Sequence, residues 1–251
     1  MLPRCWALLL WGETMIELEH VSFAYEPGRP VLRDVSFRVG DGETVGLIGA
    51  NGAGKSTVMK LLLGLLQGEG RVLVDGIEVG RGTLYEVRRR LGFVLQNSDH
   101  QMFMPTVLED MTFGPMNYGA TRREAEARAD AALERLGVLS LKRRHNHRLS
   151  GGEKRMAAIA TILAMEPEAI LMDEPTAALD PRNRRLVINV IRDLKQTKLI
   201  TSHDLDMILD TCERVILLSD GAVAADGAAE TVLRDRALLE EHRMELPLRL
   251  Q

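Results

Sequence analysis

The apolar positions of this chain fall into short runs that change rhythm along its length. From Met15-Ile16-Glu17-Leu18 to Phe37, apolar and polar positions alternate, and Pro27-Gly28 and Pro30 break the pattern. Short strands separated by turns are expected there. Thr44-Val45-Gly46-Leu47-Ile48 is a compact apolar strand that runs into a glycine-rich loop, and residues 55–66 then have helical spacing. Residues 71–74 and 91–95 read as further strands. Thr121 and Glu124 have capping-box spacing and open a charged helix to about Arg135. A second helix is expected from Gly151-Gly152 to about Met165. Residues 169–172 form an unbroken apolar run, Pro181 suits the first turn of a helix to about Lys195, and residues 198–202 and 215–218 are strand-like. Asp220-Gly221 marks a hairpin. Strands alternating with helices predict an α/β protein with a mostly parallel sheet covered on both faces. The helix-rich stretch of about 97–165 reads as an inserted subdomain.

Composition narrows the function classes. The chain has 251 residues, 45% hydrophobic and 27% charged, with formal net charge -4. That balance argues against a broad surface for nucleic acid or anionic lipid, and 4% aromatic content argues against base-stacking platforms. Cys5 and Cys212 have no ligand spacing, so a reduced cytosolic protein is expected. No stretch approaches the roughly 20 apolar residues of a membrane helix. Residues 1–14 read as an extension ahead of a natural start at Met15, with a short sticky tail as the plainer reading.

Gly49-Ala50-Asn51-Gly52-Ala53-Gly54-Lys55-Ser56-Thr57 matches the phosphate-binding pattern G-x-x-x-x-G-K-[ST]. Glycines let backbone N–H groups curl around phosphates, and the following helix N-terminus favours negative charge. Lys55 is suited to the β- and γ-phosphates of ATP and the Ser56 hydroxyl to Mg²⁺. The pattern arises by chance in roughly one chain of this size per hundred, but here it leaves a strand and opens a helix, as the chemistry requires. Asp173 ends the apolar run 169–172, where an acid can hold Mg²⁺. Glu174 is then placed to act as general base on the attacking water. Adjacent acids after a strand are also common as helix caps or turns. His203 ends another strand. A lone histidine is more often a packing or surface residue, but the carboxyl end of a strand in an α/β sheet is where ligands sit, which suits a γ-phosphate sensor.

Leu149-Ser150-Gly151-Gly152-Glu153 resembles the signature motif of ATP-binding cassette (ABC) ATPases, with Glu at a position more often Gln. Other family elements follow in order. Tyr25 matches the aromatic that stacks on adenine, Gln96 the Q-loop glutamine near Mg²⁺ and the membrane partner, Asp180 in Ala178-Leu179-Asp180 the D-loop, and His203 the switch histidine. Singly these residues say little: Tyr25 alone is about as often a core aromatic, and Asp180 before Pro181 is a good helix cap anywhere. The resemblance covers residues 15 to about 230. It implies a P-loop NTPase (RecA-like) core with a mostly parallel sheet, an N-terminal antiparallel β subdomain, an inserted helical subdomain at about 97–165, and a short helical tail at 231–251. It also implies ATP hydrolysis with Mg²⁺ at Ser56, Gln96 and Asp173. Asn51, Gly52, Ala53, Gly54 and Thr57 line the nucleotide with Gly49 and Lys55. Ser150 to Glu153 complete the ATP site of a second copy or a paralogous ATPase, packed head to tail.

Residues 96–103, with Thr106-Val107, Glu109-Asp110 and Phe113-Gly114-Pro115, look like the energy-coupling-factor branch of importers. The tail from Leu239-Glu240-Glu241 to Glu245-Leu246-Pro247 fits the same branch, and its shortness points to the cobalt/nickel group. That implies integral-membrane subunits docked near Gln96, no nucleic-acid partner, and a place at the cytoplasmic face of the membrane. Ser98 stands where the branch commonly has Pro and His100 where it has an acid, which bears on the partner and not on hydrolysis. A vitamin importer ATPase, or a non-transport ABC ATPase of repair or translation, are the alternatives. His145 and His147, two residues apart, cannot share a helical face, and a solvated loop is expected there rather than a metal site.

Overall fold

The structure, a computed structural model, describes residues 14–251. The expected extension lies outside the described residues, except for Thr14. In chain order the elements are β1 (Thr14–Glu26), β2 (Arg29–Gly40), β3 (Thr44–Ile48), α1 (Lys55–Leu62), β4 (Glu69–Val74), β5 (Ile77–Glu78) and α2 (Leu84–Arg90). There follow β6 (Leu91–Val94), α3 (Ser98–Gln101), α4 (Val107–Asn117), α5 (Arg122–Arg135), α6 (Gly151–Leu163), β7 (Ala169–Asp173) and α7 (Pro181–Asp193). The chain closes with β8 (Thr197–Thr201), α8 (Leu205–Thr211), β9 (Arg214–Ser219), β10 (Ala222–Ala228), α9 (Ala229–Arg234), α10 (Arg236–Glu241) and a 3₁₀ turn at Leu248–Leu250. They form two compact units, residues up to 88 with 195–251, and residues 89–194.

The first unit holds an antiparallel sheet in the order β2-β1-β4-β5. Alternation in β1 and β2 places Ile16, Leu18, Val21, Val35, Phe37 and Val39 in the core. Pro27-Gly28 turns the chain, but Pro30 does not break β2: it pairs with Ala24 on the edge strand, where a missing N–H costs no ladder bond. The same unit holds β3 between two parallel neighbours, β8 and β9, with β10 antiparallel to β9. All five residues of β3 are buried, which is why it reads as a continuous apolar run. Helix α1 stops four residues short of the expected end. Gly64 N donates to Leu61 O at 3.0 Å and Leu65 N to Lys60 O at 2.9 Å, a Schellman closure.

The second unit pairs β6 and β7 in parallel and packs α4, α5 and α6 together. The shared core includes Val107, Met111, Ala125, Ala129, Leu133, Met156 and Ile159. Capping boxes open all three helices, at Thr106/Glu109, at the expected Thr121/Glu124, and at Ser150/Glu153. Helix α4 escapes a reading by periodicity because Gly114-Pro115 lies inside it. A Cβ on Gly114 would lie 2.3 Å from the Met165 sulfur, so close packing fixes that glycine. Among the described residues no helix is long and apolar enough to cross a membrane.

Candidate nucleotide-binding and hydrolysis site

In the first unit, β3 runs directly into the glycine-rich loop. Gly49 has φ +150°, and a Cβ there would sit 2.2 Å from the Leu218 carbonyl oxygen. Gly54 caps α1 at φ +107°, where a Cβ would sit 2.6 Å from Leu32. Both positions exclude side chains by conformation and by space. Lys55 is buried, and its Nζ donates to the carbonyls of Gly49 at 2.7 Å and Ala50 at 3.1 Å. The ammonium is thereby folded back over the loop. Asn51, Gly52 and Ser56 are exposed, whereas Ala53 and Thr57 are buried.

Tyr25, at the end of β1, is 55% exposed, which removes it from the core. Its ring stands edge-on to Phe23 at 4.9 Å, and its hydroxyl lies 3.5 Å from Thr57 Oγ1. Lys60 Nζ lies 6.0 Å from the ring centroid. An exposed aromatic face beside the start of α1 is the geometry a base-stacking residue needs. His203 is exposed and follows β8. Leu47 of β3 pairs with Thr201 of β8, so Gly49 and His203 each lie two residues beyond paired positions, at the same end of adjacent parallel strands. Asp204 then caps α8, its Oδ1 accepting the Met207 N–H at 3.0 Å.

The second unit repeats this logic. Val94 of β6 pairs with Met172 of β7, so Gln96 and Glu174 likewise each lie two residues past paired positions. Gln96 is exposed, while Asp173 and Glu174 are half-buried. Glu174 has φ +48°, in the left-handed region unusual for a glutamate. Within this unit the Asp173 carboxylate and the Gln96 amide oxygen are donors of the kind a hard cation such as Mg²⁺ takes, and the Ser56 hydroxyl of the first unit is another of that kind. Asp180 caps α7, its Oδ1 accepting the N–H groups of Arg182 and Asn183, each at 3.0 Å. The Asn183 N–H holds the Asp180 carboxyl below its ordinary range.

Ser150 caps α6. Its hydroxyl accepts the Glu153 N–H at 3.3 Å, and Glu153 Oε2 accepts the Ser150 N–H at 2.8 Å. That N–H holds the Glu153 carboxyl below the ordinary range. Arg144 adds a bond to Glu153 Oε1 at 2.8 Å. Open space surrounds Gly151, whereas a Cβ on Gly152 would lie 2.1 Å from the Asn183 side chain. Asn183 is also bonded to Asp180, so the starts of α6 and α7 meet at Gly152. His145 and His147 are exposed, with ring centroids 5.4 Å apart.

The sequence reading missed several polar residues in this unit. Asn146, between the two histidines, is buried, as is Asp110. Asp110 Oδ1 accepts the N–H groups of Phe103 and Met104 at 3.1 Å each, its Oδ2 meets Asn146 Nδ2, and burial pushes its carboxyl upward. Arg155 is buried on α6. Its spacing from Gly152 and Ile159 puts a charge on the apolar face, the signal that could have revealed it.

Comparison with known proteins gives the family. The ABC transporter family model matches residues 32–177. The energy-coupling factor transporter ATP-binding protein EcfA of Methanothermobacter thermautotrophicus is 42% identical over 239 residues, covering 93% of this chain and 77% of the relative. The cobalt import ATP-binding protein CbiO of Rhodobacter capsulatus is 41% identical over 240 residues, covering 93% and 86%. The solved structure of CbiO1 from Clostridium perfringens, described as part of the ABC transporter complex CbiONQ, superimposes with TM-score 0.82 at 31% identity, covering 91% of this chain and 94% of that one. The fold expected from the signature resemblance, a P-loop core with antiparallel and helical additions, is the fold of these proteins. The chain belongs to the ABC transporter family, as an ATP-binding subunit whose ATPase activity is coupled to transport.

Proposed function

We propose that two copies of this chain, or one copy and a paralogue, bind ATP head to tail and hydrolyse it to drive an energy-coupling-factor importer at the cytoplasmic face of the membrane. Cobalt or nickel is the transported ion. The observation that carries the hydrolytic assignment is the strand register: Gly49 with His203, and Gln96 with Glu174, leave the same ends of paired parallel strands. The name of one relative, the cobalt import ATP-binding protein, supports the cargo. The cassette spans residues 15–230, with the helical subdomain at 97–165 and the tail at 231–251.

In this reading the backbone from Gly49 to Thr57 cradles the phosphates and Tyr25 stacks on adenine. Lys55 turns from the Gly49 and Ala50 carbonyls to the γ-phosphoryl oxygens. Glu174 takes a proton from the attacking water, and His203 donates to the oxygen on which charge develops. Ser56, Asp173 and Gln96 hold Mg²⁺, which when bound neutralises phosphate charge. Ser150 and the N–H groups of Gly151 and Gly152 offer a second anion site, used by the nucleotide of the other copy. Integral-membrane subunits dock beside Gln96.

Glu174→Gln tests this directly. ATP binding is retained and turnover falls by about a hundredfold or more, the weight of a general base. The variant then accumulates as an ATP-bound dimer in size-exclusion chromatography with light scattering. Undiminished hydrolysis removes Glu174 from its role.

A further inference from the structure

Arg155 is a buried cation whose partners are all backbone. It is 3% exposed. Its Nη1 donates to the Leu95 carbonyl at 2.6 Å and its Nη2 to the Gln96 carbonyl, while its Nε has no partner. Among the described residues no carboxylate pairs with it. Burying a guanidinium against carbonyl dipoles alone is unfavourable, and a methionine of similar volume would avoid that cost. Stability therefore does not account for an arginine here. What the fork does is fix two successive carbonyls where the chain leaves β6.

Gln101 makes the reciprocal tie. Its Oε1 accepts the Leu95 N–H at 3.1 Å, and its Nε2 donates to the Ala158 carbonyl of α6 at 2.7 Å. Lys154, beside Arg155, forms an ion pair with Asp99. Residues 95–101 are thus held at three points to the helix that Ser150 caps, at Lys154, Arg155 and Ala158. Between these ties the segment has only the single turn α3 to stiffen it. Without them it would absorb a displacement instead of passing it on.

We infer that Arg155 and Gln101 are positioning residues that make the Gln96 segment and the signature end of α6 one rigid body, so that a membrane subunit pressing on that segment moves Ser150 to Gly152 with it. This rests on the proposed roles of Gln96 and Ser150.

The test uses the full chain with Cys5→Ser and spin labels at His100→Cys and Arg148→Cys, both exposed positions. Pulsed electron-spin measurement gives one narrow distance distribution in the parent. Arg155→Met and Gln101→Leu each widen it by about twofold or more and lower kcat by about tenfold, while ATP binding to the single chain, read by titration, stays within about twofold, since the phosphate loop is untouched. Arg155→Lys keeps the charge but loses the two-pronged fork, so it follows Arg155→Met. If Arg155→Met does not fold, Arg155→Lys and Gln101→Leu carry the test. A distribution that stays narrow overturns the inference, as does a widened one with undiminished kcat. The distance measurement needs no nucleotide. It therefore judges the rigid link even where a parent chain without Glu174-dependent turnover has refuted the hydrolytic reading.

Discussion

Asp206 and Arg249, 43 residues apart in sequence, are joined through both backbone and side chain: the Asp206 carboxylate accepts the Arg249 N–H at 3.2 Å and faces its guanidinium at 3.5 Å. Asp206 also accepts the Leu248 N–H at 3.1 Å, and Arg249 reaches Asp210 at 2.9 Å. The C-terminal turn is stapled to α8, which starts two residues after His203.

Asp206→Ala releases this staple. The group is partly exposed, so the loss is about 1 kcal/mol, or roughly 2–4 °C in melting temperature for a chain of this size. Calorimetry reads the shift, and limited proteolysis shows faster cleavage after residue 245.

Removing the Lys55 ammonium by Lys55→Ala strips the loop of the cation held over it. Charge-assisted bonds to phosphate are lost, so ATP binding weakens by at least about tenfold while the fold persists. Isothermal titration of ATP and a thermal melt without nucleotide separate the two effects.

Tyr25→Ala removes an exposed ring, not a core one. Stacking of a base on an aromatic is worth about 1–3 kcal/mol, so KM for ATP rises about tenfold with little change in melting temperature. Tyr25→Phe keeps the face and loses only the long contact to Thr57, so it stays within about threefold of the parent.

Acid acts oppositely on two groups of carboxylates. Glu153 and Asp180 accept N–H groups at helix starts and titrate below their ordinary values. Their stabilisation is present above the unfolded pKa and is lost as pH falls through the lowered folded one. Asp110 is raised by burial, so its contribution is present at low pH and is lost as pH rises through its raised value. Glu153→Gln is accordingly less stable than the parent at pH 7, and in urea titrations the difference narrows as pH falls below the ordinary glutamate range.

The strands at 44–48, 169–173 and 197–201 were legible because each is buried almost throughout, and such runs have few other readings. The loops proposed to carry the chemistry could be located because their glycines, acids and histidine sit just past those strands. Helix α4 was not, since its cap at Thr106 is followed by an internal Gly114-Pro115. Nor were Arg155, Asn146 and Asp110. Their partners lie far along the chain, 60 residues from Arg155 to Leu95 and 36 from Asp110 to Asn146, and no local pattern records such a distance.

Glu174 holds its carboxylate on a backbone at φ +48°, where glycine or asparagine would sit with less strain. The fold gives up on the order of 1 kcal/mol at that point to keep a side chain there. On the proposed role of Glu174 as general base, a screen that rewards heat resistance alone would favour Gly or Asn at 174 and enrich well-folded proteins that no longer turn over ATP. At this position evolution toward durability and evolution toward transport pull in opposite directions, and only a selection that requires uptake retains the glutamate.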